Sequence, residues 1–261
     1  MPSTYAHRRF GADVLAQLPA PMQEMIGRHR ELYDIGLHGP DLFFYYHALR
    51  SNPVSRMGFG MHEEPGRVFF AHAQDCLKKA EDPEAALAYV LGFLCHFALD
   101  STCHPYVERT VRDTGISHNE IETALDCALV RLDGKDPTKF FTAGHIHPTG
   151  ENARVIQQFF DAVTPEQTLE ALKGMVRVLR LLQVTGPLKR QVLLTGMRVV
   201  GKYDSMHGLV AELGPNARCA KSTARLQELY AQALPLARRL ILDYPEHGPR
   251  DTAYEHTFGE N

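Results

Sequence analysis

Basic residues are not in excess in this sequence: 28 Lys and Arg stand against 31 Asp and Glu over 261 residues, a formal net charge of −3. That balance offers no broad cationic face to replace phosphate counterions, so a stable nucleic-acid partner is not expected. A small anionic substrate remains open, because bound metal ions can supply positive charge locally. Long apolar runs are scarce too. The longest, residues 89–99, is about half of what a bilayer-spanning helix needs and contains Gly92 and His96. No transmembrane segment is therefore expected. Residues 1–18 interleave His7, Arg8, Arg9 and Asp13 with apolar side chains, so no secretory leader is visible and a cytoplasmic location is expected. The 5 cysteines are odd in number and form no C-x-x-C pair, which excludes an obvious disulfide framework and favours reduced thiols. Alternation of period two over strand length is hard to find, which leaves little room for a sheet.

What is present is helical periodicity. Residues 85–99 read AALAYVLGFLCHFAL behind Asp82-Pro83, an N-cap followed by proline at the first helical position. Ser117-His118-Asn119-Glu120 has the form of a capping box ahead of IETALDCALVRL, and Thr164-Pro165-Glu166-Gln167 repeats that logic before TLEALKGMVRVLRLLQV. Residues 187–202 and 221–242 read as further helices. Gly- and Pro-bearing stretches at 36–40, 51–60, 134–150 and 214–217 read as loops, and the tail from Tyr244 onward loses its periodicity and is expected to be loosely held. An all-α fold follows: a single multi-helical domain over residues 1–261, with a metal cluster between core helices.

Histidine, with 14 copies concentrated in the first half of the chain, is the informative residue. His96, Asp100 and His104 are spaced i, i+4, i+8 and project along one helix face. His118 and Glu122 repeat the i, i+4 spacing at the start of the next helix. Neutral imidazoles with carboxylates are the zinc ligand set, and facing helices are a usual place to build such sites. A lone His on an apolar face is ordinarily a core residue, and an isolated His/Glu pair is ordinarily a surface contact. Asp100, however, lies within an apolar helix where an unpaired carboxylate is costly to bury. Two histidines flank it, and a second pair follows, which core packing does not explain.

In this order of residues the chain resembles the zinc-dependent phospholipase C family, part of the wider phospholipase C/nuclease superfamily of all-helical zinc enzymes. The resemblance runs through His7, Asp41 in Gly39-Pro40-Asp41, His62 in Gly60-Met61-His62, His96-x3-Asp100-x3-His104 and His118-x3-Glu122, within residues 2–132. It implies that His62, His96 and Asp100 bind one zinc, with Asp41 beside it as ligand or general base. His104, His118 and Glu122 would bind a second. Asp100 would bridge to a third held by His7 and the chain's N-terminal residue, giving two or three zinc ions in all. The family uses an N-terminal tryptophan there. This chain has no Trp, and Pro2, exposed if Met1 is removed, is the expected substitute.

The implied activity is phosphodiester hydrolysis, most directly phospholipase C-type cleavage of a phospholipid. Paired zincs can lower the pKa of a bridging water to near neutrality and neutralise charge developing on the phosphoryl oxygens. Asp41 would orient or deprotonate that water. The family's choline-selective members carry an aromatic directly after the metal-site Asp, another three residues before the loop His, and an acid near the N-terminus. Here Leu42 follows Asp41 and Phe59 precedes His62 by three, so Phe59 is the candidate substrate contact, and residues 1–6 hold no acid. Two other readings stand beside this one. A nuclease or other small phosphodiesterase could use the same site, although that branch prefers Asp where Glu122 stands. A non-catalytic zinc protein is the third, although the ligand set is too large for one closed tetrahedral site. His38 and His47 bracket Asp41 and are weak candidates for supporting it. The remaining histidines, His145 among them, read as surface or core.

Overall fold

The computed structural model describes residues 4–259, and among them no strand forms; the nearest thing is an isolated bridge between Pro65 and Thr257. The expected all-α class holds. In chain order the helices are α1 (Thr4–Leu15), α2 (Ala20–Arg28), α3 (Arg30–Gly36), α4 (Pro53–Glu63), α5 (Gly66–Leu77), α6 (Pro83–Thr114), α7 (His118–Leu132), α8 (Gly150–Gln157), α9 (Pro165–Leu182), α10 (Pro187–Val199), α11 (Tyr203–Met206) and α12 (Ala220–His247). A 3-10 segment, Gly39–Tyr45, links α3 to α4.

Helix α6 is the axis of the molecule. Its start is fixed by Asp82, whose carboxylate accepts the Ala85 N–H at 3.0 Å, and its end by Gly115, which takes a φ of 69°. That left-handed turn suits glycine, which carries no Cβ to clash. By length and composition α6 could cross a bilayer, but 83% of its apolar window is buried inside the protein, against α1, α3 and α12. The approach of α3 to α6 is unusually close because glycine faces glycine. A Cβ on Gly36 would lie 2.2 Å from the Tyr89 carbonyl oxygen, and one on Gly92 would lie 2.2 Å from that of Tyr33. The contact matters for the site, because α3 leads directly into His38 and the segment that carries Asp41.

Residues 51–60, expected to be a loop, form the start of α4 instead. Asn52 accepts the Ser55 N–H at 2.9 Å while the Ser55 hydroxyl accepts the Asn52 N–H at 3.2 Å, and Pro53 occupies the first helical position. This is a capping box built without Glu or Gln, which outweighs the two glycines downstream. The capping box at Thr164 and Gln167 forms as its sequence predicts. At Ser117 only the serine arm forms, because the Glu120 carboxylate is taken by Asn216 and Arg218.

The tail differs most from expectation. Beyond α12 the chain returns across α5, where Gly66 donates its N–H to the His256 carbonyl at 2.9 Å. Tyr254 and Phe258 are both buried to 1% exposure in the main core. Aromatic burial, rather than helical periodicity, holds this segment. A second, small apolar cluster of Val184, Met197 and Val210 joins α10 to the following turns, apart from the main core. All 5 cysteines are free thiols, and 4 of them are buried.

Candidate metal centre

The two helical stripes face one another as their spacing requires. α6 presents His96, Asp100 and His104; α7 presents His118 and Glu122, and one turn further Asp126, which the i, i+4 pattern also reaches. α1 adds His7, the 3-10 segment adds Asp41, and α4 adds His62. The donors form three groups, Asp41 with His62 and His96, His7 with His96 and Asp100, and His104 with His118 and Glu122, the first two sharing His96 and each with its donor atoms within 4.8 Å of one another. Asp100 therefore groups with His7 and His96, and Asp41 takes a full place beside His62. Pro2 lies outside the described residues.

The spacing between donors fits zinc. Ligand bonds of about 2.0–2.1 Å imply tetrahedral edges of roughly 3.3–3.4 Å. His7 Nε2 lies 3.2 Å from Asp100 Oδ1, and His96 Nε2 lies 3.2 Å from Asp100 Oδ2. His62 Nε2 is 3.0 Å from Asp41 Oδ1. Glu122 Oε1 is 3.3 Å from His104 Nε2 and 3.2 Å from His118 Nε2. The two oxygens of Asp100 thus turn toward different histidines, with His104 Nε2 a further 3.7 Å from Oδ1. His96 gives a second sign. It is fully buried, and among the described residues neither of its ring nitrogens makes a well-aligned hydrogen bond, Nε2 having the Asp100 oxygen only at 3.2 Å off its axis. A buried imidazole left so is costly, and a metal at Nε2 would satisfy it.

Outer contacts set the tautomers. His62 Nδ1 donates to the Gly58 carbonyl at 3.0 Å, and His104 Nδ1 donates to the Phe258 carbonyl at 2.7 Å. A carbonyl can only accept, so each Nδ1 carries the proton and each Nε2 is free for a metal. His118 Nδ1 donates to Glu108 at 2.7 Å, the carboxylate–histidine arrangement that raises ligand basicity. Asp126 acts on the scaffold: its two oxygens accept the N–H groups of Tyr5 and Ala6 at 2.9 and 2.8 Å. A carboxylate at a helix N-terminus meets the positive end of the dipole, and here it holds the turn that presents His7. Glu108, Asp126 and the tail escaped the sequence reading. The spacing of Asp126 could have revealed it; backbone acceptors leave no residue signature.

The electrostatics select cations. Burial disfavours charge throughout, yet His104, His96 and His7 pull Asp100 well below the usual carboxylate range; Glu122 also lies well below it and Asp41 comes down to about 2, with His118 and His62 respectively among the groups that lower them. Burial opposes a proton on His7, His62 and His118 too, but Asp100, Asp41 and Glu122 respectively outweigh it, and His118 rises to about 10. His96, fully desolvated, falls to about 3. Three ionised carboxylates thus gather protons onto imidazoles, and a divalent metal is a better match for the same field.

Around the donors, His38 Nε2 and His145 Nε2 meet at 2.7 Å, both buried, tying the connector of residues 134–150 to the segment before Asp41. His47 is exposed, on a backbone with φ 48°, and belongs to none of the donor groups. Phe59 is half exposed and stacks on Phe44 at 4.0 Å, and Phe44 lies 5.3 Å from the His62 ring, whereas Leu42 is fully buried. His118 and His62, with side chains 31% and 18% exposed, are where solvent reaches the centre.

A family model described as zinc-dependent phospholipase C matches residues 6–166. No match was found among curated proteins or among solved structures. The matched stretch contains all eight donor residues from His7 to Glu122 and spans more than half of the sequence; the chain belongs to the zinc-dependent phospholipase C family.

Proposed function

We propose that the protein hydrolyses a phospholipid at the phosphodiester bond on the glycerol side, releasing diacylglycerol and a phosphorylated headgroup. The observation that carries this reading is Asp100, whose Oδ1 faces His7 and His104 and whose Oδ2 faces His96, so that one carboxylate touches a member of each donor group. The eight side-chain donors of the centre exceed what a single closed structural zinc needs. Up to three ions would be held, by Asp41, His62 and His96, by His104, His118 and Glu122, and by Asp100 with His7. Zinc, when bound, supplies Lewis acidity toward the phosphoryl oxygens and lowers the pKa of water.

The chain's own groups then have distinct tasks. Asp41, ionised at neutral pH, accepts a hydrogen bond from the attacking water and aims its oxygen at phosphorus. As that P–O bond forms, the bond to the glycerol oxygen breaks, and the proton released ends on the departing alkoxide. Burial of the centre keeps bulk water from competing with these contacts. Phe59, backed by Phe44, offers a ring face beside His62, suited to an alkylammonium headgroup or another flat or apolar group.

The test is hydrolysis by the zinc-loaded protein of phosphatidylcholine, single-stranded nucleic acid and bis(p-nitrophenyl) phosphate. Phospholipid cleavage that is lost on chelation, restored by zinc and abolished in Asp41→Asn is the expected result. Cleavage of nucleic acid alone would move the assignment to a nuclease. No hydrolysis at full zinc occupancy would leave a metal-binding protein without catalysis.

A further inference from the structure

We propose that the outer face of α10 docks the protein on an anionic phospholipid surface. The proposal stands on this surface alone and does not depend on what the metal centre cleaves. Residues 171–203 contain seven basic residues (Lys173, Arg177, Arg180, Lys189, Arg190, Arg198, Lys202) and no acidic one, in a chain whose net charge is −3. The same region gathers exposed apolar side chains. Leu188 is 75% exposed, Val192 61%, Val199 81% and Val200 68%. Leu181 and Leu213 add to them, so that six of the ten large exposed apolar residues among those described fall between 181 and 213.

The arrangement on α10 explains why this is a face rather than scatter. At 3.6 residues per turn, Leu188, Val192, Thr195 and Val199 fall within about 60° of one another. The opposite side carries Leu193, Leu194 and Met197, which pack into the small cluster with Val184 and Val210. Helix α10 is therefore apolar on two faces, and the fold covers one. Lys189 and Arg198 lie on either side of the uncovered stripe, roughly 80–100° from its centre. Apolar stripe and flanking long basic side chains are the pattern of a helix lying in a membrane interface, where aliphatic stems follow the stripe inward and charged ends reach the headgroups.

Charge decides the occupant. Arg177 and Arg190 are paired with Glu170 and Glu212. Among the described residues no carboxylate lies within ion-pair distance of Lys189, Arg198 or Lys202; Lys189 donates to the Arg180 carbonyl at 3.2 Å, and Arg198 lies over the Tyr203 ring at 4.2 Å. These charges are left to an external partner. A second copy would set the same basic flanks against one another, whereas an anionic bilayer complements both the stripe and its charges. The chain that follows α10, namely α11 and the turn at His207–Leu209, packs beside the centre. Gly208 packs on the first turn of α7, 2.6 Å between its would-be Cβ and the Glu120 nitrogen, and Asn119 Nδ2 donates to the Ser205 carbonyl at 3.3 Å. Both contacts fall on the residues just after His118.

Vesicle flotation on ice tests the proposal, with zinc-loaded wild type and with Asp41→Asn, so that binding is read with and without turnover. Vesicles of phosphatidylcholine alone are compared with vesicles containing about 30% phosphatidylglycerol, at low and at high salt. Wild type and Asp41→Asn should both prefer the anionic vesicles by about tenfold or more at low salt. Replacing Leu188, Val192 and Val199 together by Ser should cut binding by about tenfold. Lys189→Glu with Arg198→Glu should erase the anionic preference. All the substituted side chains are exposed and lie outside the metal centre, so hydrolysis of soluble bis(p-nitrophenyl) phosphate should stay unchanged in both variants, and both should remain folded at the assay temperature although the charge reversal gives up the Lys189–Arg180 and Arg198–Tyr203 contacts. Equal partition onto both vesicle types, or undiminished binding by the triple variant, overturns the proposal. So does a wild-type dimer that the triple variant turns into monomer, which would assign the face to a second copy.

Discussion

Asp100 sits among the donors of the candidate centre, and that place was legible from its position: an acid in the middle of an apolar helix, flanked at i−4 and i+4 by histidine. Asp100→Asn keeps the shape and removes the charge that His7, His96 and His104 share. Zinc per chain, measured by elemental analysis, should fall below wild type, and hydrolysis should drop by more than the roughly 10–100-fold that loss of a ligand's hydrogen-bond partner costs. Full zinc content in that variant would mean Asp100 touches no metal. Glu108 was not legible, since what ties it to the centre among the described residues is the 2.7 Å bond from His118 Nδ1 across the α6–α7 turn. Glu108→Gln should weaken zinc binding by about 10–100-fold with the fold intact. A pH prediction follows from the same pair. In the metal-free protein His118 keeps its proton up to about pH 10, above its ordinary 6.5, because Glu122 and Glu108 outweigh the cost of burial. That charge stabilises the metal-free fold fully below the unfolded pKa, and the gain is lost as pH rises through about 10. Zinc works the other way: it takes the proton's place, so affinity climbs about tenfold per pH unit for each proton released. The difference in melting temperature between zinc-loaded and chelated protein should therefore widen from about pH 5.5 to 8.5. A constant difference would show that zinc displaces no proton from these imidazoles.

At the scale of elements, what could be read in advance was periodicity, and what could not was contact. α6 and α7 announce themselves through caps and stripes. α4 did not, because Asn52 and Ser55 form a box from residues that also mark turns, and glycines at 58 and 60 look like breakers. Gly58 in fact lets α4 lie close to the Asp41 segment: its Cβ would come 3.0 Å from the Pro40 carbonyl oxygen. The α3–α6 contact follows the same principle more severely. Gly92→Ala drives a methyl to 2.2 Å from the Tyr33 carbonyl oxygen, and backbone on both sides cannot rotate away as a side chain could. The helices must separate, at a cost of about 1–3 kcal/mol or more. Since α3 continues into the segment bearing Asp41 while α6 bears His96, the same shift should weaken zinc at the Asp41–His62–His96 group. The measurement is denaturant unfolding together with a zinc titration of the folded variant. Loss of stability without any change in zinc affinity would show that the spacing of these helices does not set the spacing of the donors.

Across the whole molecule, residues far apart in the chain close one centre. The matched family region ends at 166, yet the His104 tautomer is set from residue 258, through a carbonyl at 2.7 Å. The Phe258 ring lies 5.0 Å from that of Phe97, 5.9 Å from His96 and 5.8 Å from His62, so the tail forms part of the wall behind two donor groups. Nothing in the local sequence marks this, because a backbone acceptor has no residue identity and a tail without periodicity resembles a free end. Two changes separate its contributions. Phe258→Ala keeps the carbonyl and removes the ring, and should cost about 3–5 kcal/mol of stability by opening a core cavity. Ending the chain after residue 250 removes the carbonyl as well, freeing His104 to turn its proton to either nitrogen. If the carbonyl fixes the metal-facing Nε2, zinc affinity should fall further in the truncated chain than in Phe258→Ala, when both are compared under conditions where each is folded. Equal zinc affinity in the two would reduce the tail to packing alone, with His104 oriented by Asp100 and Glu122 from within the helices.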